Sequence, residues 1–289
     1  MPRRTLKTLI GTYPNTAPLK SGAVRSDLFD LDFTEIEPVW DGFKGMIRDM
    51  KYDVSEMAVV TYLIARAHGK PLALLPAAMI GRFQQPYAMC KADKPLGPRD
   101  LAGKRVGIRS FTTTTGAWLR GILQNDYGVD LDSIEWVTFE DPHVAEYQDK
   151  TVRAPAGRKI VPMLIDGELD AVLGESSTDP RLRPLFGDPQ AESQLWYRKH
   201  KTVPINHLVV MRSADVARDP DTAREVWRLL WEGKSLAGPP PDPDPLPFGI
   251  EPLRKSLELI AGYAWQQGLI PKRMSVDEMF AETYSILSR

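Results

Sequence analysis

Short apolar runs alternate with helix-spaced apolar patterns along most of the 289-residue chain. Apolar residues that recur every three to four positions predict amphipathic helices, and short apolar runs that end at turn residues predict buried strands. The strands are predicted at residues 5–12, 72–80, 105–108, 134–139, 170–175 and 204–211, with a further strand and its connection within 24–41. The helices are predicted at residues 42–49, 56–68, 117–127, 221–232, 252–267 and 275–287. This alternation favours an α/β protein with parallel sheets.

The order of these elements predicts two lobes. A second α/β unit begins near residue 96, and the last third of the chain is mostly helical. Residues 238–248 contain six prolines, so this segment is predicted to be a loop or flap. We expect one lobe from residues 1–93 with 204–289 and the other from 94–203, joined near 91–95 and 201–204. This architecture resembles type 2 periplasmic binding proteins, in which a ligand cleft lies between the lobes, at strand ends and helix N-termini.

Composition and charge narrow the classes of function. The formal net charge is −1, so no global field attracts nucleic acid or a membrane, and any anion binding is local. The single cysteine, Cys90, excludes an intramolecular disulfide framework and suits a reducing compartment. No apolar run is long enough to span a membrane. The basic residues at the start are not followed by the apolar run of an export signal. We expect a cytoplasmic protein with a small-molecule partner. The sequence does not decide whether the protein forms a homo-oligomer.

Residues 53–57, Asp-Val-Ser-Glu-Met, span the start of the helix predicted at 56–68. In one interpretation Ser55 caps this helix and Glu56 only complements its dipole. In the other, the Ser55 hydroxyl and the first helix amides bind a ligand carboxylate, and Glu56 reaches the cleft as an acid or a metal ligand. Arg82 follows an apolar strand, where a guanidinium group binds a carboxylate bidentately or forms a structural ion pair.

A second set of candidates follows strands of the second unit. Arg109 comes directly after the strand at 105–108, and Glu175 ends the strand at 170–175. Hydroxyl groups and free amides ahead of the next predicted helix make an oxyanion-binding turn or a simple capping loop. These hydroxyl groups belong to Thr112, Thr113, Thr114 and Thr115.

The histidines offer a proton donor. His207 lies on a short buried strand, where a lone histidine is either a hydrogen-bonded core residue or a cleft acid. His143, on a loop after a strand, is the weaker candidate. No local spacing such as His-x-His demands a metal. The remaining arrangement for a divalent metal is a site assembled from Glu56, His143, Glu175 and His207. We expect no cofactor, and the sequence does not decide whether a divalent metal binds.

Several motifs resemble the 4,5-dihydroxyphthalate decarboxylases, over about residues 5–285. The most specific combination is Val-Ser-Glu-Met at 54–57, Pro-Ile-Asn-His at 204–207 and Gly-Ile-Glu-Pro at 249–252. Weaker matches lie at 75–76, 82–83, 100–108, 120–124, 127–129 and 167–172. The resemblance implies an enzyme that has the fold of solute-binding proteins and acts on an aromatic dicarboxylate. It also places Tyr13 among the expected substrate-binding residues. Two positions depart from the family, which has a histidine after Tyr13 and Phe-Arg-His where this chain has Phe83-Gln84-Gln85.

Three functions follow from these patterns. The preferred one is a non-oxidative decarboxylase of a hydroxylated aromatic acid, in which Arg82, Ser55 and the threonine turn anchor carboxylates. His207 or Glu56 would then deliver a proton to the ring carbon. The alternative is a solute-binding protein for an organic or aromatic acid, in transport or sensing. A third is a different enzyme on the same scaffold, since a fold does not fix a reaction.

Overall fold

The structure is a computed structural model, and it describes residues 3–287. Residues 1–2 and 288–289, which the predicted first lobe includes, lie outside the described residues. The strands are β1 Arg4–Leu9, β2 Phe29–Phe33, β3 Val54–Ala58, β4 Leu72–Gly81, β5 Ala88–Lys91, β6 Arg105–Ile108, β7 Glu135–Thr138, β8 Val152–Arg153, β9 Ala171–Leu173, β10 Leu182–Pro184 and β11 Ile205–Arg212. The helices are α1 Ala17–Lys20, α2 Phe43–Asp49, α3 Val59–Ala67, α4 Thr114–Tyr127, α5 Ile160–Ile165, α6 Pro189–His200, α7 Ser213–Arg218, α8 Pro220–Leu236, α9 Ile250–Gln266, α10 Val276–Met279 and α11 Tyr284–Leu287.

Two sheets organise these elements. The first has the strand order β2-β1-β3-β11-β4, in which β1 runs parallel to β2 and β3, and β11 runs antiparallel to β3 and β4. The second has the order β10-β5-β9-β6-β7-β8, and its four strands β6 to β9 are parallel. The sheets are therefore mixed, with parallel strands in each. No helix among residues 3–287 combines the length and the apolar character needed to cross a bilayer.

Strand β11 returns the chain to the first sheet after the second is complete. It inserts between β3 and β4, so β3 lies in the middle of a sheet and is buried along its whole length. The largest apolar cluster joins the two halves of the molecule. In it, Trp118 on α4 donates a hydrogen bond from Nε1 to the carbonyl oxygen of Ile205 at 3.0 Å. This contact fixes the start of α4 against the start of β11, where the cleft lies.

Four sequence predictions need correction. The helix predicted at 56–68 begins only at Val59, because residues 54–58 form the central strand β3. Ser55 and Glu56 within this strand look like helix-capping residues, and the pairing of β3 with β1 and β11 is not visible in the local sequence. Helix α4 begins at Thr114, three residues earlier than expected. The helix predicted at 275–287 is broken into α10 and α11, and the long helix α6 was missed.

The passage between the sheets also differs from the expectation. Strand β5 falls within residues 1–93, yet it pairs antiparallel with β9 and β10 in the second sheet. The chain therefore first changes sheet between Gly81 and Ala88 rather than near 91–95. The division of the chain into two lobes is otherwise still a prediction. The proline-rich segment 238–248 forms no helix, and its one strand contact is an isolated bridge between Phe248 and Ala77.

Candidate active site

A cavity of about 290 Å³ lies between the two sheets. Parallel strands β6 and β9 end at it, and helices α3 and α4 begin beside it, which is where α/β proteins of this kind bind ligands. Its volume is at the small end of the range for small-molecule sites and suits a single aromatic ring. Its wall is formed by Trp40, Phe43, Ala58, Thr61, Ile80, Arg82, Tyr87, Arg109, Thr113, Thr114, Thr115, His143, Leu173, Gly174, Glu175, Ser176, Asn206 and His207.

His207 presents an imidazole to this cavity from β11. Its Nδ1 atom lies 2.6 Å from Oε1 of Glu56, and no other hydrogen bond of the ring is formed with the described residues. The ladder between β11 and β4 is irregular on both sides of His207, and such bulges re-aim side chains beside functional sites. The ring of Phe43 packs edge-on against His207, with centroids 5.2 Å apart. Nε2 of His207 is thereby left for a ligand.

Glu56 lies behind His207 and is fully buried. Its Oε2 accepts a hydrogen bond from the Gly11 amide at 2.9 Å, and its Oε1 accepts one from the Tyr13 hydroxyl at 2.9 Å. Burial, together with the neighbouring Glu56 carboxylate, raises the pKa of Tyr13, so the phenol keeps its proton and stays a donor. Glu56 therefore has its hydrogen bonds filled from behind and touches the cavity only through His207.

Arg82 provides a cation in the wall of the cavity. Its guanidinium group stacks on the ring of Tyr87, with Cζ 3.9 Å from the centroid, and one of its amino groups lies 3.4 Å from Thr115 Oγ1. Its Nε is buried without a hydrogen-bond partner among residues 3–287. The Asn206 amide joins the same network by donating to Thr115 Oγ1 at 3.1 Å. Arg82 is thus held in place, and because its Nε is buried, the donors left for an anion are those of its amino groups.

Three threonines at the start of α4 reach the cavity. Thr113 is the N-cap residue, and its hydroxyl donates to the carbonyl oxygen of Ser110 at 3.0 Å. Thr114 Oγ1 accepts a hydrogen bond from the Val60 amide of α3 at 3.1 Å, so the two helix starts contact each other here. Thr112 is buried against Ser110 and does not line the cavity. Unpaired amides of a 14-residue helix favour an anion at this place.

Arg109 and Glu175 lie on the side of the second sheet. The Arg109 guanidinium group packs over Trp40 at 5.3 Å from its centroid and lies 3.8 Å from Glu140. Burial raises the pKa of Glu175, while the nearby Arg109 opposes this shift. Arg109 is thus only loosely paired and lines the cavity, and its role in binding a ligand carboxylate stays a prediction.

His143 lines the cavity from the loop that follows β7. Its Nδ1 lies 3.0 Å from Thr61 Oγ1, and its ring packs edge-on against Phe43 at 5.9 Å. Burial lowers the pKa of His143 to about 3, and the cation Arg109 is the next cause. The ring is therefore neutral near pH 7. Arg48 fixes the loop by donating to the carbonyl oxygens of Pro142 and His143 at 3.0 and 3.1 Å.

The structure brings most of the predicted site residues to one cavity. Its wall includes Arg82, Arg109, Thr113, Thr114, Thr115, Glu175 and His207, and also the weaker candidate His143. The role expected of Ser55 is wrong in one respect, because this residue lies on β3 and not at a helix start. Its hydroxyl donates to the Glu56 carbonyl oxygen at 2.8 Å and is buried away from the cavity.

The metal arrangement considered from the sequence is not assembled. No three His, Cys, Asp or Glu residues among 3–287 lie together in a way that could hold a metal ion. The oxygens of Glu56 already accept hydrogen bonds from Gly11, Tyr13 and His207. A carboxylate so occupied from behind cannot turn toward the cavity without leaving buried donors unpaired, which costs about 1–3 kcal/mol for each group.

Sequence reasoning missed several parts of the wall. These residues come from four separate segments and are Trp40, Phe43, Thr61, Tyr87 and Asn206. Only Asn206 carried a signal, because it stands inside the Pro-Ile-Asn-His motif. The others became neighbours only when α2, α3 and the turn before β5 packed around the cavity.

The fold and the site define a two-lobed α/β protein with a small-molecule cleft, and the histidine–carboxylate pair adds a group that can move a proton. Comparisons with known proteins narrow this class. No family model matches the chain. It is 28% identical to the 4,5-dihydroxyphthalate decarboxylase of Comamonas testosteroni, over 99% of this chain and 93% of the relative. It is 26% identical to the 4,5-dihydroxyphthalate decarboxylase of Pseudomonas putida, over 68% of this chain and 83% of the relative.

Solved structures support the fold. The putative periplasmic sulfonate-binding protein SsuA of a sulfonate ABC transporter from Methylobacillus flagellatus superposes with a TM-score of 0.58 and 11% identity, over 99% of this chain and 94% of that one. The periplasmic-binding-protein-like fold predicted from the sequence is therefore confirmed. The resemblance to the 4,5-dihydroxyphthalate decarboxylases is confirmed as well, and the chain is an enzyme that resembles these carboxy-lyases.

Proposed function

We propose that the chain decarboxylates a hydroxylated aromatic acid of the phthalate type, without oxidation, and delivers a proton to the ring carbon that loses CO₂. The observation that carries this proposal is the 2.6 Å contact between Glu56 Oε1 and His207 Nδ1 at the wall of an anion-binding cavity. A protein that only binds an anion has no need of an imidazole backed by a buried carboxylate. The similarity to decarboxylases along nearly the whole chain supports the same reaction class.

Substrate binding rests on the cationic and hydroxyl groups of the wall. The amino groups of Arg82 and the start of α4 at Thr113–Thr115 would hold one or both carboxylates. Arg109 would hold or orient the rest of the anion from the second sheet. The reacting carboxylate must stand out of the ring plane, so that the breaking C–C bond overlaps the ring π system. A cavity walled by Phe43, Tyr87 and Trp40 can fix the ring in such an orientation.

The proton step falls to His207. In the proposed step the Nε2 proton of the imidazolium passes to the ring carbon that bears the carboxylate. A hydroxyl group ortho or para to that carbon lets the ring accept the proton as a ketone-like intermediate. The C–C bond then breaks, CO₂ leaves, and the electron pair restores the aromatic ring. Glu56 would orient the imidazole and stabilise its charged form, as the carboxylate of a catalytic triad does. A divalent metal, left open by the sequence, has no step in this proposal.

A direct assay tests the function. The purified protein is incubated with 4,5-dihydroxyphthalate, phthalate and dihydroxybenzoates, and CO₂ release is measured together with deuterium incorporation in D₂O. We expect CO₂ only from hydroxylated acids, with one deuterium at the vacated ring carbon. His207→Gln should abolish most of the release, whereas the matched control His68→Gln, at an exposed position, should not. Lack of CO₂ from every hydroxylated acid would refute the proposal.

The fold also favours a second candidate, a binding protein for an organic or aromatic acid. Its support is the likeness in fold to a sulfonate-binding protein and the same set of anion-binding groups in the cleft. The two functions separate in one experiment. Tight binding of an aromatic carboxylate in calorimetry, with no CO₂ released over many hours, would favour the binding protein.

A further inference from the structure

A second imidazole faces the cavity and has no part in the steps above. His143 belongs to the loop after β7, so it reaches the site from the opposite sheet to His207. Its Nδ1 pairs with Thr61 Oγ1 at 3.0 Å, whereas its Nε2 has no hydrogen-bond partner among residues 3–287. Nε2 is also absent from the buried polar atoms that lack a partner, so it is open to the cavity.

We propose that His143 is a specificity-determining residue, which donates a hydrogen bond from Nε2 to the ring oxygen of a hydroxylated aromatic substrate. This inference rests on the proposed function and deepens it, since it identifies the group that recognises the hydroxyl. In this arrangement the Thr61 hydroxyl donates to Nδ1, and the ring proton therefore resides on Nε2. The distance between Nδ1 and Thr61 Oγ1 fits either direction of this hydrogen bond, and the proposal requires the tautomer with the proton on Nε2.

The position of His143 suits an aromatic ligand. Phe43 packs edge-on against both imidazoles, with centroid distances of 5.9 Å to His143 and 5.2 Å to His207. Both imidazoles thus contact the same aromatic ring and border the same cavity. A single ring can present one carbon to His207 and its hydroxyl oxygen to His143. His143 would then bind the ring oxygen, and His207 would protonate the ring carbon.

The charges around His143 explain why it acts as a neutral donor. Burial is the main cause that lowers the pKa of the imidazole to about 3, and the nearby Arg109, Lys44, His207 and Arg48 lower it further. Cations that disfavour an imidazolium favour an anion in the same place, so the substrate oxygen is expected to bind as a phenolate. A neutral histidine that polarises an oxygen is an established catalytic device.

The step balances without an additional reactant. His207 transfers its proton to the ring carbon, and the phenolate oxygen becomes a ketone-like carbonyl oxygen that keeps the hydrogen bond from His143. When the bond to the carboxylate breaks, its electron pair returns through the ring and restores the phenolate. His143 keeps its proton throughout. His207 regains a proton from solvent after CO₂ has left.

Calorimetry with a pair of ligands that differ by one hydroxyl tests this role. Phthalate and 4-hydroxyphthalate are titrated into His207→Gln, which should bind both acids but turn them over slowly, and into the same protein with His143→Leu, His143→Gln or the exposed control His68→Leu added. With His143 present, we expect 4-hydroxyphthalate to bind about 10- to 100-fold more tightly than phthalate, the usual range for a hydrogen bond to a charged group. His143→Leu should remove this preference and leave phthalate affinity within about threefold. His143→Gln, which keeps an N–H donor, should restore part of it.

Other outcomes overturn the inference. Equal weakening of both ligands in His143→Leu, or a preference that survives in it, would exclude His143 from hydroxyl recognition. If His143→Leu fails to fold, Thr61→Val removes the partner of Nδ1 and should reduce the preference while keeping the imidazole. If the preference for 4-hydroxyphthalate depends on His143 but no CO₂ is released, only the proposed reaction is refuted. Failure of both ligands to bind any of these proteins would refute the ligand class and the inference together.

Discussion

Glu56 and His207 lie diagonally across neighbouring antiparallel strands, with Oε1 and Nδ1 2.6 Å apart. In the ladder His207 faces Ala58, and Glu56 faces Val209. The side chains of such diagonal neighbours meet only if both lie on the same face of the sheet. This contact gives the two candidate acids different roles, because only His207 reaches the cavity and Glu56 acts through it.

The first prediction concerns His207. His207→Gln should keep ligand affinity within a few-fold and lower turnover by roughly 10²–10⁴, the usual contribution of general acid catalysis. Single-turnover CO₂ release and thermal unfolding are measured on the same protein. Full turnover with a lower melting temperature would reduce His207 to a core residue.

The second prediction concerns Glu56. Glu56→Gln should lower turnover by roughly 10²–10⁴ with little change in ligand affinity, because the imidazolium loses its stabilising charge. An amide also cannot accept from Gly11, Tyr13 and His207 at once, so unfolding should need about 1–3 kcal/mol less. Chemical denaturation and kcat are compared with those of Tyr13→Phe, which removes one donor and keeps the carboxylate. Glu56 would lose its positioning role if both variants kept full turnover.

The third prediction concerns anion binding at Arg82. Arg82→Ala should weaken the binding of an aromatic carboxylate by at least about 1.5 kcal/mol, the lower limit for a hydrogen bond to a charged group. Arg82→Lys should not restore affinity, because an ammonium group cannot reproduce the planar fork or the stacking on Tyr87. Calorimetry measures both, and Arg183→Ala, exposed on the second sheet, is the control. Equal affinity in all three variants would remove Arg82 from the site.

Local patterns predicted much of this site because its residues follow strand ends and precede helices. Arg109 and Glu175 follow β6 and β9, parallel strands whose carboxyl ends meet at one edge of the second sheet. Arg82 follows the apolar strand β4 of the first sheet and reaches the cavity from there. The hydroxyl groups of Thr113–Thr115 were found in the same way, from the turn ahead of α4. The chemical type of each residue and its place relative to a strand were sufficient.

Contacts between distant segments could not be predicted in this way. Glu56 looked like a helix-capping residue, since nothing in residues 53–57 reveals that β11 will pair with β3 some 150 residues later. The pairing turns residue 56 into a partner for His207 and buries Ser55. His143 and Thr61 likewise come from opposite halves of the molecule and meet only in the folded protein. Such contacts depend on sheet order, which local periodicity does not contain.

The last prediction links His143 to the pH dependence of stability. Its pKa falls from the ordinary 6.5 to about 3 on folding, so between these values the unfolded chain binds a proton that the folded protein does not. Stability therefore rises with pH across this window and falls as the pH is lowered. From pH 7 to pH 5 this residue should remove about 2 kcal/mol from the free energy of unfolding.

His143→Leu isolates this contribution, because all other titrating groups remain in both proteins. The variant should lose about 2 kcal/mol less than the unaltered protein between pH 7 and pH 5, whatever its stability at pH 7. Urea unfolding at the two pH values gives the difference, and His68→Leu, at an exposed position, should behave like the unaltered protein. An identical pH dependence in His143→Leu would mean that His143 accepts a proton in the folded protein, and a neutral donor in the cleft would then be excluded at pH 5.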